Sequence, residues 1–334
     1  MKYSFAIIGC GRIAKRHAEI IQKTGKLVAV CDINYERADE LAKAHQAKSY
    51  YSIDDLLVQE PEVDIVVICS PNGLHAEHAI KSLQFGKHVL CEKPLCITSA
   101  AARQMVDTAY LCCKKLYVVK QNRYNEPVQL AKKAVDEGKI GRILSFQVNC
   151  FWNRPESYYV TGDWKGTKYL DGGILYTQFS HFIDLIYWFL GDTESISGFV
   201  TKNDRENIEI EDTGVASLKM KNGAIGTINY TINSYNHNLE GSFALFGENG
   251  SIKIGGQYLN TLEWYETANK EKPALTQKNE PNNYGFYQGS MSNHEKVYQD
   301  LVLSLAGDGT LLEAKDAVKT IEIIEAIYKA SLQQ

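Results

Sequence analysis

The chain has 334 residues, 44% hydrophobic and 23% charged, with a formal net charge of −4. This length allows two domains with substantial cores, and the composition is that of a soluble globular protein. The slight acidic excess argues against a general nucleic-acid binder, no Lys/Arg block marks a membrane-surface patch, and no apolar run approaches bilayer-spanning length.

Phe5-Ala6-Ile7-Ile8 is a continuous apolar run, as expected of a buried parallel strand. It leads straight into Gly9-Cys10-Gly11-Arg12-Ile13-Ala14, and a helical pattern follows to Lys23. Gly9 permits a tight turn, Gly11 lets the backbone approach a pyrophosphate, and Ala14 is a small residue where helix packs on strand. The new helix, opening at Arg12 and Ile13, turns its free N–H groups and dipole toward the phosphates. Lys26–Cys31 reads as a second strand ending in Asp32, whose carboxylate can accept hydrogen bonds from a ribose. Asp32 would repel a ribose phosphate, and no cation follows until Arg37, so NAD is expected rather than NADP. The first apolar run is too short for a signal peptide, which makes a cytoplasmic location the expectation.

Further along, Asn34 caps a helix over 35–45 and Ser52 a short helix. Val63–Cys69 is a buried strand ending in Ser70-Pro71-Asn72, and a helix follows that stops at Gly86. His88–Cys91 is a strand ending in Glu92-Lys93-Pro94, Thr98 opens a helix over 98–113, and Leu116–Lys120 is another strand. Strands alternating with helices predict a doubly wound parallel sheet, with ligand beyond the strands' carboxyl ends. That rule gathers Gly9–Ala14, Asp32, Ser70–Asn72, Glu92–Lys93 and Gln121–Arg123 around one crevice. Lys93, fixed by a proline, can hydrogen-bond a substrate hydroxyl and stabilise a developing alkoxide, or accept a proton if burial lowers its pKa.

In the second half, a helix over 127–138 precedes Ile143–Trp152, where Leu144, Phe146, Val148 and Cys150 alternate with polar positions as in a half-buried strand. A polar and aromatic stretch then holds Asn153, Arg154, Tyr158, Tyr159, Trp164, Lys165 and Lys168, the aromatic faces and cations that a nucleotide-sugar needs. Asp171-Gly172-Gly173 opens a largely apolar helix from about 174 to 190, with Thr177, His181 and Asp184 on one face. Strands at 194–201, 213–220, 224–233, 240–247 and 251–255 carry hairpin signals at Asn222-Gly223 and Asn249-Gly250. The segment 272–290 places Tyr284 and Tyr287 where they could face a nucleotide, as could Ser292, Asn293 and His294. Two helices, 292–306 and 313–331, close the chain. The eight cysteines contain no Cys-x-x-Cys and read as reduced packing residues. His17, His75, His78 and His88 lack metal-ligand spacing with carboxylates, so no metal is expected.

These residues carry a resemblance. Gly-x-Gly-x-Ile-Ala with His17, Ser70-Pro71-Asn72-x-x-His75 and Glu92-Lys93-Pro94, in this order, resemble the Gfo/Idh/MocA oxidoreductases. The resemblance implies an α/β plus α+β chain, with a Rossmann NAD-binding domain over 1–122. A substrate-binding and oligomerisation domain over 123–334 would be built on a large, open, mostly antiparallel sheet that pairs subunits into dimers or tetramers. It implies hydride transfer between NAD and a sugar or cyclitol hydroxyl, with His75, Gln121 and Arg123 joining the cofactor set. Asp171-Gly-Gly…His181-x-x-Asp184 resembles the family's catalytic helix, making His181 the general base. Thr177 stands where many relatives have aspartate, and Asp184 is the alternative group to orient the imidazole.

Phe151-Trp152-Asn153-Arg154, Trp164-Lys165-Gly166-Thr167 and Thr177-Gln178-Phe179-Ser180-His181 resemble the UDP-N-acetylglucosaminuronate 3-dehydrogenase branch of bacterial surface-polysaccharide synthesis. That likeness implies substrate contacts from Lys93, Arg123, Asn153, Arg154, Trp164, Lys165, Thr177, Gln178, His181 and Tyr284. It also implies 2-oxoglutarate as a hydride acceptor that regenerates NAD. The same scaffold admits another sugar or cyclitol dehydrogenase, a redox-neutral glycosidase that returns its hydride, or a non-catalytic sugar sensor; a sensor needs neither Lys93 nor His181.

Overall fold

The structure, a computed structural model, describes residues 3–160, 164–203, 205–268, 273–275, 281–283, 288–309 and 314–332. The chain forms two compact units, Met1–Val119 with His294–Ile321, and Lys120–Asn293 with Glu322–Gln334.

In the first unit apolar strands alternate with amphipathic helices: β1 (Ser4–Ile8), α1 (Arg12–Thr24), β2 (Lys26–Cys31), α2 (Tyr35–His45), β3 (Lys48–Tyr50), α3 (Ile53–Gln59), β4 (Ile65–Ile68), α4 (His75–Gln84), β5 (His88–Cys91), α5 (Ser99–Leu111) and β6 (Leu116–Val118). The six strands pair in parallel in the order β3-β2-β1-β4-β5-β6. Chain order reverses between β1 and β4, which creates the crevice where ligands bind such sheets. Phe5–Ile8 and Ile65–Ile68 are at most 2% exposed, which explains their uninterrupted apolar runs. Helix starts follow the expected caps: Asn34 Oδ1 accepts the Arg37 N–H at 3.0 Å, and Thr98 Oγ1 the Ala101 N–H at 3.2 Å. The edge strand β3 has no counterpart in the sequence reading, because three partly exposed residues are too few to show a strand period.

The second unit contains α6 (Glu126–Asp136), β7 (Ile143–Phe151), α7 (Glu156–Val160), α8 (Ile174–Thr177), α9 (Ser180–Leu190), β8 (Thr193–Thr201), β9 (Thr213–Met220), β10 (Ile225–Thr231), β11 (Glu240–Gly247), β12 (Gly250–Gly255) and β13 (Thr261–Thr267). Its seven-stranded sheet runs β13-β12-β11-β7-β10-β9-β8 and is antiparallel except where β7 meets β10. Phe146, Val148 and Cys150 face the core as expected, whereas Leu144 is 42% exposed. The single helix expected over 174–190 is two helices, because the Phe179 N–H reaches back five residues to the Ile174 carbonyl and widens the turn. A short pair, β14 (Pro281–Asn283) with β15 (Gln288–Met291), precedes α10 (His294–Ala306) and α11 (Lys315–Leu332).

The expected single division at 122/123 assigns α10 to the second domain, yet α10 belongs to the first unit. The reason is a buried cluster in which Tyr298 Oη lies 2.8 Å from His17 Nδ1 and its ring 5.8 Å from that of Phe5. Among the described residues no helix is long and apolar enough to cross a membrane.

Candidate functional site

The turn after β1 is built by backbone geometry. Gly9 sits at φ +91, and a Cβ there would stand 2.5 Å from the Ser70 nitrogen, so only glycine fits. Gly11 is different. Its conformation suits any residue, and nothing lies within 4 Å of where its Cβ would be. The space over the first turn of α1 is therefore open, and no side chain caps that helix start. Free N–H groups beside an open space fit a pyrophosphate. At the end of β2 the half-buried Asp32 accepts the Cys10 N–H at 2.7 Å and the Asn34 N–H at 2.8 Å. Each oxygen keeps a lone pair for a ribose hydroxyl. Arg12 is exposed and Ile13 half-buried at the mouth of this turn. These features fit NAD, for which the first unit supplies a Rossmann cradle.

Two further loops meet at the crevice. His75 lies 2.8 Å from both the Ser70 and Pro94 carbonyl oxygens, which ties the Ser70-Pro71-Asn72 loop to the Glu92-Lys93-Pro94 loop. Ser70 Oγ is 2.9 Å from His78 Nδ1, and burial lowers the His78 pKa to about 4, so that ring is neutral. Lys93 is half-buried and precedes a cis peptide to Pro94, and its N–H donates to Glu92 Oε2 at 3.0 Å.

Glu92 is the hub of a cluster that sequence spacing does not reveal. Its Oε1 lies 2.8 Å from His17 Nε2 and 3.2 Å from His294 Nε2, and all three residues are buried. Burial opposes the Glu92 charge, but the two histidines outweigh it and hold the carboxyl well below its usual range. This is the one grouping of ligand type among the described residues. Hydrogen bonds account for it without an ion. If both Nε2 atoms donate to Oε1, His17 Nδ1 accepts the Tyr298 hydroxyl, and only an acceptor lone pair on His294 Nδ1 is left over. Metal ligation through Nε2 would instead leave a buried N–H donor on His294 Nδ1, which costs more. His294, expected beside a nucleotide, is thus part of the first unit's core.

In the second unit the helix α9, buried except at Tyr187 and Trp188, carries His181 (6% exposed) and Asp184 (7%). Asp184 is the centre of an ion cluster. Arg123 donates to it through Nε and Nη2 at 2.7 and 2.8 Å, and Lys120 Nζ lies 2.9 Å from its Oδ1. Burial would raise the Asp184 pKa, but Arg123 and then Lys120 drive it far below the carboxylate range. Asp184, read from sequence as a group to orient His181, has both oxygens engaged by cations. Gln121 and Arg123, both expected to reach the cofactor, lie in this unit, Gln121 one residue inside the expected first domain, and a short 3-10 turn (Gln121–Tyr124) buries them.

Thr177 is the last residue of α8, and its hydroxyl donates a hydrogen bond to Asp171 Oδ1. Asp171 is 1% exposed and also accepts the Gly166 N–H at 2.8 Å. Burial pushes its pKa up to about 6. Gln178 is clasped between Arg154, whose Nε donates to it at 2.7 Å, and the Tyr158 hydroxyl at 2.9 Å. Arg154 is 1% exposed, stacked against Trp152 and bonded to Asn238 and the Asn153 carbonyl. Asn153 donates to the Ser234 carbonyl at 2.6 Å and its N–H to Asn238 at 2.8 Å. These contacts tie Asn153 and Arg154 into the framework of the unit, with Asn153 half-buried. Trp164 and Lys165 are half-buried, with the Lys165 ammonium 3.7 Å above the Tyr158 ring. Tyr284 lies outside the described residues. Sequence reasoning missed Lys120, Asp171 and Glu211 as interior charges; Glu211, whose Oε1 accepts the Ile174 N–H and the Tyr328 hydroxyl, has its pKa pushed by burial to about 8.

Comparison with known proteins agrees with this architecture. Residues 3–118 match the oxidoreductase family with an NAD-binding Rossmann fold, and residues 128–253 match the GFO/IDH/MocA C-terminal domain. Among solved structures, the chain is similar to the WlbA dehydrogenase from Bordetella pertussis in complex with NADH and UDP-GlcNAcA. The TM-score is 0.89 at 34% identity, covering 99% of this chain and 97% of that one. The WlbA dehydrogenase of Chromobacterium violaceum, in complex with the same two molecules, matches with TM-score 0.89 and 34% identity over 99% and 94%. Among characterised relatives, levoglucosan dehydrogenase of Pseudarthrobacter phenanthrenivorans is 28% identical over 70% of this chain. The chain spans 66% of that relative's length, just short of two thirds.

Proposed function

The chain belongs to the GFO/IDH/MocA oxidoreductase family, and from that premise we propose that it is an NAD-dependent sugar dehydrogenase oxidising the 3-hydroxyl of a UDP-N-acetylhexosaminuronate. The observation that carries the substrate is the 34% identity, over nearly all of both chains, to a dehydrogenase solved with NADH and UDP-GlcNAcA. The NAD cradle of the first unit supports the cofactor half of the reading.

In this reading Lys93 donates a hydrogen bond to the sugar hydroxyl and stabilises the alkoxide that develops on its oxygen. His181 takes the hydroxyl proton as general base. NAD, when bound, accepts the hydride from the sugar carbon. Glu92 holds the backbone of Lys93, and His75 ties that loop to the loop after β4. The Arg123–Asp184–Lys120 cluster fixes α9 one turn beyond His181. Reoxidation of the cofactor by 2-oxoglutarate belongs to the same proposal.

A second copy of the chain fits the second unit's sheet. Phe199, Val215, Ile225, Phe246 and Trp264 are 39–62% exposed, and strand register puts all five on one face, opposite the core-facing Phe146 and Val148. An apolar set of this kind supports pairing into dimers or tetramers, which sedimentation velocity measures directly.

The test is to mix the protein with NAD and UDP-N-acetylglucosaminuronate, with and without 2-oxoglutarate. Nicotinamide absorbance and the mass of the sugar are then followed. A sugar lighter by two hydrogens is expected, and His181→Ala should lose turnover by orders of magnitude while still binding NAD. No oxidised sugar under either condition rejects this substrate.

A further inference from the structure

The buried carboxylate of Asp171 has no role in the reaction as described so far, although it sits at the root of the helices that carry His181. Asp171 follows the polar stretch of residues 164–170, and the two glycines after it let the chain turn into α8. Both of its oxygens are used: Oδ2 accepts the Gly166 N–H at 2.8 Å, and Oδ1 accepts the Thr177 hydroxyl. A hydroxyl that has given its proton to a carboxylate presents only lone pairs elsewhere, so its next partner must be a donor.

Thr177 and His181 are four residues apart, on either side of the widened junction between α8 and α9. The Gln178 and Phe179 N–H groups both reach the Ile174 carbonyl, and the Phe182 and Ile183 N–H groups both reach that of Phe179. Gln178 keeps right-handed helical backbone angles, so the chain still turns in the helical sense from Thr177 toward His181. An imidazole on the next turn carries a donor of the required kind.

We propose that Asp171 is a positioning residue for His181, acting through the Thr177 hydroxyl. The hydroxyl accepts an N–H from one imidazole nitrogen, which leaves the other nitrogen as the proton acceptor. When that nitrogen takes the substrate's proton, the negative charge of Asp171, conveyed through the polarised hydroxyl, stabilises the imidazolium. No proton leaves the ring toward Asp171 in this step. This inference rests on the reading of His181 as the base.

The surroundings of Asp171 suit the task. Lys165 lowers its pKa, while the neighbouring Glu211 and Tyr159 are groups whose own ionisation Asp171 opposes. With burial lifting it to about 6, the carboxyl is charged at neutral pH and becomes neutral only in mild acid. The Tyr328–Glu211 bond and the Ile174 N–H hold the far side of the same turn, so α8 has little freedom to drift.

The experiment measures kcat against pH for wild type, Asp171→Asn, Thr177→Val, Thr177→Ser, the double variant Asp171→Asn/Thr177→Val, and His181→Ala. NAD affinity and thermal stability are recorded for each. Asp171→Asn and Thr177→Val should each lower kcat about tenfold or more, with the sugar KM changing much less. Their acid limbs should move to lower pH by roughly half a unit, because the base has lost a stabilising charge. Thr177→Ser should restore both, and the double variant should be no worse than either single one. If Asp171→Asn folds poorly, the Thr177 pair still decides. Wild-type kcat and an unmoved acid limb in Thr177→Val, or fully multiplicative effects in the double variant, would overturn the inference. In either case a dead His181→Ala leaves the base assignment standing, whereas an active one removes that assignment itself.

Discussion

Arg123 grips Asp184 by two parallel hydrogen bonds of 2.7 and 2.8 Å in the buried interior of the second unit. The guanidinium also lies 4.8 Å from the centre of the Trp188 ring, so it is held from the side as well as the tip. This geometry is worth more than an exposed ion pair, because bidentate Arg–carboxylate bonds are strong and water does not screen them.

Removing the acid from that cluster strands two cations. Asp184→Asn should lower unfolding free energy by about 3–5 kcal/mol, the usual cost of breaking a buried pair from one side. The native Asp184 pKa is depressed, so its contribution is fully present above the unfolded carboxylate pKa and is lost as pH falls toward the native one. The variant should therefore lose less stability than wild type as pH falls below 3.8. Urea titrations across that range would expose a merely decorative pair as an unchanged midpoint.

The two glycines of the first turn should separate folding from cofactor binding. Gly9→Ala drives a methyl against Ser70 and Cys69 backbone and forces an L residue to φ +91, so loss of soluble or stable protein is expected. Gly11→Ala adds a methyl with nothing within 4 Å of it, so its melting temperature without cofactor should match wild type. Its side chain occupies the open space above α1, and NAD affinity should fall at least about tenfold. Fluorescence titration with NADH measures this; equal affinity would remove the pyrophosphate from that position.

Asp32 should set the choice of cofactor. Its carboxylate is fixed by the Cys10 and Asn34 N–H groups, and each oxygen keeps a lone pair that a ribose hydroxyl can use. Asp32→Ala should weaken NADH binding by about tenfold or more and improve NADPH relative to it, since the repulsion of a ribose phosphate is gone. Parallel dissociation constants for both cofactors would show the ratio narrowing.

Glu211 makes the opposite linkage to Asp184. Burial raises its native pKa to about 8, against 4.5 for a free glutamate, so native protein binds a proton between those values that unfolded protein does not. Stability therefore falls as pH rises from about 4.5 to 8. Glu211→Gln keeps an acceptor for the Ile174 N–H and has no charge to bury. Its melting temperature should vary less over this range and exceed that of wild type at the alkaline end, as calorimetry at pH 5 and 8.5 would reveal.

Much of this molecule is determined by local chemistry and is legible as such. The strands of the first sheet are buried on both faces, so Phe5–Ile8 and Ile65–Ile68 can be read as apolar runs. The glycine turn, Asp32 at the end of β2 and the caps at Asn34 and Thr98 act over a few residues, and the residues themselves specify them. The short edge strand β3, the terminal strand β13 and the broken junction at Phe179 are not specified this way. They depend on which neighbour supplies the hydrogen bonds.

Charges in the interior show the division most clearly. From the sequence alone, His17, Glu92 and His294 are separate polar residues, as are Arg123 and Asp184 or Asp171 and Thr177. Glu92 and His294 are 202 positions apart, and no pattern of spacing joins them. Tertiary packing excludes water from each group, and a buried charge or donor must then find a partner wherever the chain brings one. Local chemistry alone sets the glycine cradle, the alternation of strands with helices and the residue types available for chemistry. The fold decided which carboxylate meets which cation, and so which side chains are framework and which remain to act on a substrate.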